Sequence, residues 1–204
     1  MDIVKIQSSK IPHDVIEKAV NVLKQGGIVV YPTDTAYGLG ADALNEDAVG
    51  RIFIIKKRIQ KPLPVIVANF TMLKQVAVTN PLGLKLGKKY WPAPLTIIFK
   101  KQPQISSALT LGLPTIGVKI PNSPVALALV RALGRPITTT SANLSGMKNN
   151  YTIDDVLRQF RDTEPRPDLL IDAGTLPEIA VSTVVDSTKG KPIVMREGPV
   201  KIAI

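Results

Sequence analysis

The chain has 204 residues, 45% of them apolar, and its 26 Lys and Arg against 16 Asp and Glu leave a formal net charge of +10. That balance favours phosphate-bearing or polyanionic partners through long-range attraction. It has no cysteine and a single histidine, His13, which excludes disulfides, thiolate zinc sites and cysteine nucleophiles and leaves a histidine triad without its parts.

Residues 12–25 place Val15, Ile16, Ala19, Val20 and Leu23 at helical spacing and stop at Gly26-Gly27, so a helix is expected there. A strand over 28–31 follows and runs into Pro32-Thr33-Asp34-Thr35, whose composition favours a turn. Ahead lie Tyr37-Gly38-Leu39-Gly40, where two glycines would let backbone approach a ligand closely. Asn45 is placed to cap a helix over 46–57 that buries Ala48, Val49, Ile52, Phe53 and Ile55. Lys56-Lys57-Arg58 closes it, and Pro62 supports its ending. Lys56 and Arg58 are two apart, so they converge only where the helix stops and the chain turns.

Beyond it, the pattern predicts a buried strand over 64–68, helices over 70–77 and 81–90, strands over 95–99 and 116–120, and an apolar helix over 125–133. A strand over 137–140 then leads directly into Ser141 and Asn143. Thr152 with Asp154 and Asp155 marks a capped helix start, and strands near 169–171, 183–185 and 193–195 finish the chain. Trp91-Pro92-Ala93-Pro94 reads as a rigid packing corner rather than a base-stacking platform, and 145–150 either as a mobile loop beside a ligand or as an ordinary surface connection.

Strands and helices interleave throughout, so the fold class is α/β, a twisted, mostly mixed sheet flanked by helices, with residues 1–204 as one domain. No secretory pattern and no apolar run of about 18 residues appears, which leads to the expectation of a cytoplasmic protein without membrane contact. Neither G-x-G-x-x-G nor a Walker A sequence occurs. A basic cluster at a helix end and a hydroxyl/amide pair at a strand end are parts from which a phosphate pocket can be built without a P-loop. Each has a simpler reading: cations complementing a helix dipole, and Ser141 and Asn143 making a turn with Asn143 left-handed.

Ordered blocks carry a resemblance. They are Gly-Gly-Ile-Val-Val-Tyr-Pro-Thr-Asp-Thr-Ala-Tyr-Gly-Leu-Gly at 26–40, Lys-Lys-Arg at 56–58, Trp-Pro-Ala-Pro-Leu-Thr at 91–96, Ser-Ala-Asn at 141–143, Ser-Thr-Val-Val-Asp at 182–186 and Arg-Glu-Gly at 196–198. Over 26–198 the chain resembles the YrdC/Sua5 threonylcarbamoyl-adenylate synthases, and its end at 204 resembles their short, single-domain form. The resemblance implies a YrdC-like fold with a concave electropositive cavity. It also implies a nucleotidyltransferase that condenses L-threonine, bicarbonate or CO2, and ATP into threonylcarbamoyl-AMP and pyrophosphate. The product would serve t6A modification at adenosine 37 of certain tRNAs through a downstream tRNA threonylcarbamoyl transferase.

By the same resemblance, Lys56, Arg58, Ser141 and Asn143 are the catalytic set and, with Arg196, hold ATP, while Thr35, Lys119 and Ser182 contact L-threonine. Mg²⁺ would be held largely through nucleotide oxygens, with no protein cage of metal ligands. Lys119 stands where many members carry arginine, so bidentate carboxylate binding gives way to a point charge. Ile66 stands where longer members tend to have histidine. Exchange of Lys56 or Arg58 for alanine is expected to remove turnover and leave the fold intact. Two rivals remain: a non-catalytic double-stranded RNA or tRNA binder of the same fold, reading shape and phosphate with few aromatics, and a carbamoyl-phosphate-processing enzyme like the related domains of hydrogenase maturation proteins.

Overall fold

The computed structural model describes residues 1–7, 11–57 and 61–203. After β1 (Asp2–Lys5), α1 (His13–Lys24) buries Val15, Ile16, Ala19, Val20 and Leu23, as its spacing predicts. It stops where Gly26 adopts φ +77°, a conformation open to glycine. β2 (Val29–Pro32) and β3 (Tyr37–Gly40) form an antiparallel hairpin, and the Thr33 hydroxyl organises its turn by donating to the Ala36 carbonyl at 2.6 Å.

The 37–40 glycines have a packing role that periodicity did not show. A Cβ at Gly40 would lie 2.8 Å from both the Tyr31 ring and the Thr138 carbonyl, and one at Gly38 would lie 2.7 Å from Thr33. The buried Tyr31 ring therefore lies against β3 backbone in the space that side chains would otherwise fill.

α2 (Glu46–Lys56) starts at Asn45, whose side chain accepts from the Ala48 N–H at 3.0 Å. Losing this cap in Asn45→Ala is expected to lower stability by about 1 kcal/mol, read from a denaturant midpoint with unchanged slope. Next come β4 (Val65–Ile66), α3 (Phe70–Val76), β5 (Ala77–Val78), α4 (Pro81–Tyr90), β6 (Leu95–Lys101), α5 (Ser107–Thr110) and β7 (Thr115–Lys119). Between α4 and β6, the Trp91 indole N–H donates to the Leu95 carbonyl at 2.8 Å and its ring sits 6.0 Å from Phe70, a packed corner. α6 (Pro124–Leu133) is capped by Ser123, whose hydroxyl also donates to the Pro32 carbonyl at 2.9 Å and so ties the helix start to the end of β2. β8 (Ile137–Thr138), β9 (Thr140–Ser141), α7 (Ile153–Phe160), β10 (Leu169–Asp172), β11 (Thr183–Asp186) and β12 (Ile193–Arg196) complete the chain.

The strands make two sheets, where the sequence pattern suggested one. The first has the order β1-β10-β2-β3-β9, and the second β12-β11-β6-β7-β4-β8 with β5 paired to β6. One continuous sheet of this many strands would accumulate a large twist, and division into two is the usual relief. The strand expected over 137–140 is the joint: Thr138 pairs with Val65 of the second sheet, whereas Thr140 pairs with Leu39 of the first. Buried residues from both sheets and the flanking helices form one continuous apolar core. Among the described residues, no helix is long and apolar enough to cross a membrane.

Candidate functional site

Lys56 is the last residue of α2, and Lys57 after it turns left-handed at φ +49°, so the helix ends there. Arg58 lies outside the described residues. Lys56 as a whole is only 1% exposed, and its ammonium is buried with it. It donates to the Ser141 carbonyl at 2.5 Å, to the Asn143 carbonyl at 2.6 Å and to Asn143 Oδ1 at 2.9 Å. Ser141 Oγ donates to the same Asn143 Oδ1 at 2.6 Å, and Asn143 Nδ2 donates to the Met147 carbonyl at 2.6 Å. A helix end and a strand end far apart in sequence are thus bound by one cation. Asn143 is not left-handed: among the described non-glycine residues only Lys57 and Leu111 have positive φ. Its amide instead bridges Lys56, Ser141 and the loop. Residues 145–150, for which the sequence allows either a mobile loop or an ordinary surface connection, have both ends tied, Ser145 N–H to the Lys56 carbonyl at 2.9 Å and Asn150 Nδ2 to the Ala142 carbonyl at 2.6 Å.

A second cluster forms around Lys119, the last residue of β7. Its ammonium donates to Asp34 Oδ1 at 2.7 Å and to Ser182 Oγ at 3.2 Å. The Lys119 and Asp34 side chains are 4% and 5% exposed. Asp34 Oδ2 accepts the Asn122 N–H at 3.0 Å. Arg196, at the end of β12, donates through Nε and Nη2 to the Ser182 carbonyl at 2.9 and 2.7 Å. Burial pushes the Lys119 pKa below its ordinary value, Asp34 opposes that shift, and the nearby Arg196 charge adds to it. Partial burial lowers the Arg196 pKa as well, although a guanidinium remains charged in proteins.

Thr35 sits in the same hairpin turn, half-buried, with its hydroxyl 3.2 Å from that of Thr33. Ile66 is fully buried directly opposite Lys119 on β4, so that strand offers the cation only apolar surface.

The β2–β3 hairpin links the clusters. Gly38 on β3 faces Ser141 of the first cluster, and Asp34 in the turn grips Lys119 of the second. The sequence reading assigned Asp34 only to turn formation. Its acidic charge at the end of a proline-terminated strand was visible, but its partner is 85 residues away. Among the described residues no group of three or more His, Cys, Asp or Glu could hold a metal ion. A cavity of about 420 Å³ beside α7, lined by Met1, Asp154, Leu157, Arg158, Arg161 and Arg166, contains none of the candidate residues. Two of its arginines are engaged by Asp155 and Glu164.

Comparison with known proteins identifies the family. The Sua5/YciO/YrdC family model, described as Telomere recombination, matches residues 21–198. The threonylcarbamoyl-AMP synthase of Pyrococcus abyssi is 36% identical over 185 residues, which cover 90% of this chain and 54% of that protein. The threonylcarbamoyl-AMP synthase of Bacillus subtilis is also 36% identical, over 90% of this chain and 53% of its own length. The chain therefore spans about half the length of these relatives. The crystal structure of P. abyssi Sua5 complexed with L-threonine superposes with a TM-score of 0.90 at 34% identity, covering 97% of this chain and 58% of that one. The family model over residues 21–198, the identity across nine-tenths of the chain and the close superposition place the chain in the Sua5/YciO/YrdC family.

Proposed function

We propose that the chain is an L-threonylcarbamoyl-adenylate synthase, a nucleotidyltransferase that joins L-threonine, bicarbonate-derived CO2 and ATP. The observation that carries this reading is the pair of cationic clusters held by one hairpin, one around Lys56 and the other around Lys119 and Arg196. Relatives named threonylcarbamoyl-AMP synthase and a similar structure holding L-threonine support it.

Without cysteine, and with His13 exposed at the start of α1, an activated protein nucleophile is hard to assemble. The nucleophile is then a substrate. Threonine and CO2 form N-carboxythreonine; its carboxylate oxygen bonds to the α-phosphorus of ATP as the bond to pyrophosphate breaks. The protein aligns two anions and stabilises developing charge.

Arg58, Ser141, Asn143 and Arg196 are assigned to the nucleotide, and Thr35, Lys119 and Ser182 to threonine. Lys56 takes a positioning role in place of the direct phosphate contact expected from the sequence. Its three N–H donors already have three acceptors in residues 141–143. It aims the Ser141 and Asn143 side chains and contributes its charge at short range. Asn143 Oδ1 already accepts from Lys56 and Ser141, so the Ser141 hydroxyl oxygen is the one that would suit a Mg²⁺ bound chiefly through nucleotide oxygens and water, and such an ion would neutralise triphosphate charge. The product would pass to a tRNA threonylcarbamoyl transferase.

The deciding assay is pyrophosphate release from ATP with threonine and bicarbonate supplied separately and together. Release that requires both supports the synthase; hydrolysis indifferent to threonine overturns it. Charge-assisted contacts contribute about 1.5–3 kcal/mol each. Arg196→Ala should therefore weaken ATP binding on the order of tenfold to a hundredfold, as titration calorimetry would show.

A second reading, a binder of double-stranded RNA or tRNA, is favoured by charge distribution. Residues 48–153 contain no Asp or Glu, and Lys85, Lys88 and Lys89 lie exposed on one side of α4. Steeply salt-dependent RNA affinity in a protein that never turns over ATP would select it.

A further inference from the structure

The turn residue Asp34 presents a physical puzzle. It places a carboxylate in the cluster to which a substrate carboxylate is assigned above, where simple electrostatics would have it repel the ligand. The geometry resolves this. Both Asp34 oxygens are occupied, one by the Lys119 ammonium at 2.7 Å and the other by the Asn122 N–H at 3.0 Å. Lys119 in turn has three donors, of which two have protein acceptors among the described residues, Asp34 Oδ1 and Ser182 Oγ. The third is left to bind a ligand. Arg196 anchors the Ser182 backbone from the other side without an acidic partner among the described residues.

We propose that Asp34 is a positioning residue of the carboxylate subsite: it keeps the Lys119 ammonium charged and directs its remaining N–H, so that a small α-amino-acid carboxylate is recognised by the Asp34–Lys119 pair and not by Lys119 alone. This inference rests on the function proposed above. A guanidinium holds several donors in one plane by its own rigidity, whereas an ammonium on a flexible stem needs neighbours to aim it. Asp34 and Ser182 are those neighbours. The charged groups near the ammonium are Asp34 from the β2–β3 turn and Arg196 from β12, while β4 contributes Ile66. Burial and Arg196 both favour the neutral amine, and Asp34 opposes them. With Asp34 neutralised, nothing else in this set holds the proton on Lys119.

The test is a pH series of L-threonine binding by calorimetry for the wild-type protein, Asp34→Asn and Asp34→Glu. The ratio of variant to wild type cancels the titration of the ligand's own amino group. At pH 6 Asp34→Asn, whose amide oxygen can still accept from the Lys119 ammonium, should bind within a few-fold of wild type. Towards pH 9 it should bind progressively more weakly than wild type, by up to about tenfold per pH unit as the proton is lost from Lys119. Asp34→Glu, which keeps the charge, should retain the wild-type profile.

A ratio that stays constant from pH 6 to pH 9 overturns the proposal, as does NMR of labelled lysine showing Lys119 of Asp34→Asn protonated to the same pH as wild type. Should Asp34→Asn not fold, the wild-type protein still decides. Saturating L-threonine should raise the pH at which Lys119 titrates, and an unmoved titration refutes the role. Acetate separates the two readings. Wild-type protein that binds acetate at Lys119 but ignores L-threonine rejects the assigned substrate and supports the subsite; binding of neither rejects the subsite.

Discussion

Lys56→Met is expected to abolish pyrophosphate release and, contrary to the expectation from sequence, to destabilise the fold by about 3 kcal/mol or more. The substitution keeps an apolar stem of similar length in a site that is 1% exposed, so loss of packing is small. What disappears is the cation between three oxygens of residues 141–143. Buried acceptors left without donors cost roughly 1–3 kcal/mol each, more when the lost donor was charged. Some of this is recovered if the 141–150 segment opens to water, which would itself misplace Ser141 and Asn143. The paired readout is a chemical-denaturation curve and a pyrophosphate assay. Wild-type stability together with lost turnover would return Lys56 to a direct contact with the triphosphate. Wild-type values in both would remove it from the site.

Lys119→Met should be similarly severe for a different reason. It leaves the Asp34 carboxyl, 5% exposed, without its cation, and breaking one half of a buried pair typically costs about 3–5 kcal/mol. For a domain of this size, each kcal/mol moves the melting temperature by about 2–4 °C, so a drop of roughly 10 °C is expected. Adding Asp34→Asn should restore much of it, since removing both charges avoids the uncompensated carboxylate. The double variant should still bind no threonine. Additive losses in the double-mutant cycle would show that the two groups do not interact energetically.

The two expectations place Lys56 and Lys119 in parallel roles. Each is the terminal residue of its element, each is almost wholly buried, and each binds an oxygen-rich segment more than 60 residues away. A lysine can be buried in this way only if its ammonium is fully hydrogen-bonded or paired. The oxygens that satisfy it are then held in turn, and these belong to Ser141, Asn143, Ser182 and Asp34. Charge burial and site construction are here the same set of contacts.

Much of this was legible from local pattern. The apolar stripe of α1, the Asn45 and Thr152 caps and the strands near 95–99 and 116–120 all appear where spacing and capping chemistry put them. These features depend on neighbours three or four residues away, or two along a strand, so a short window contains the cause. β3 was not legible because its glycines read as loop, although they face the Tyr31 ring contributed by β2. The split of 137–140 into two short strands was also hidden, since its two halves pair with strands from different parts of the chain.

By itself, then, the amino-acid order determined the α/β class, the positions of the longer helices and strands, the exclusion of thiol and histidine chemistry, and the motif blocks that mark the family. The tertiary structure alone decided that there are two sheets, that Lys56 faces protein oxygens, and that Asp34 belongs with Lys119. The physical reason is range. Helical periodicity and caps act over a few residues, whereas the partner of a buried charge is whichever group the folded backbone brings within about 3 Å, and no spacing along the chain specifies it.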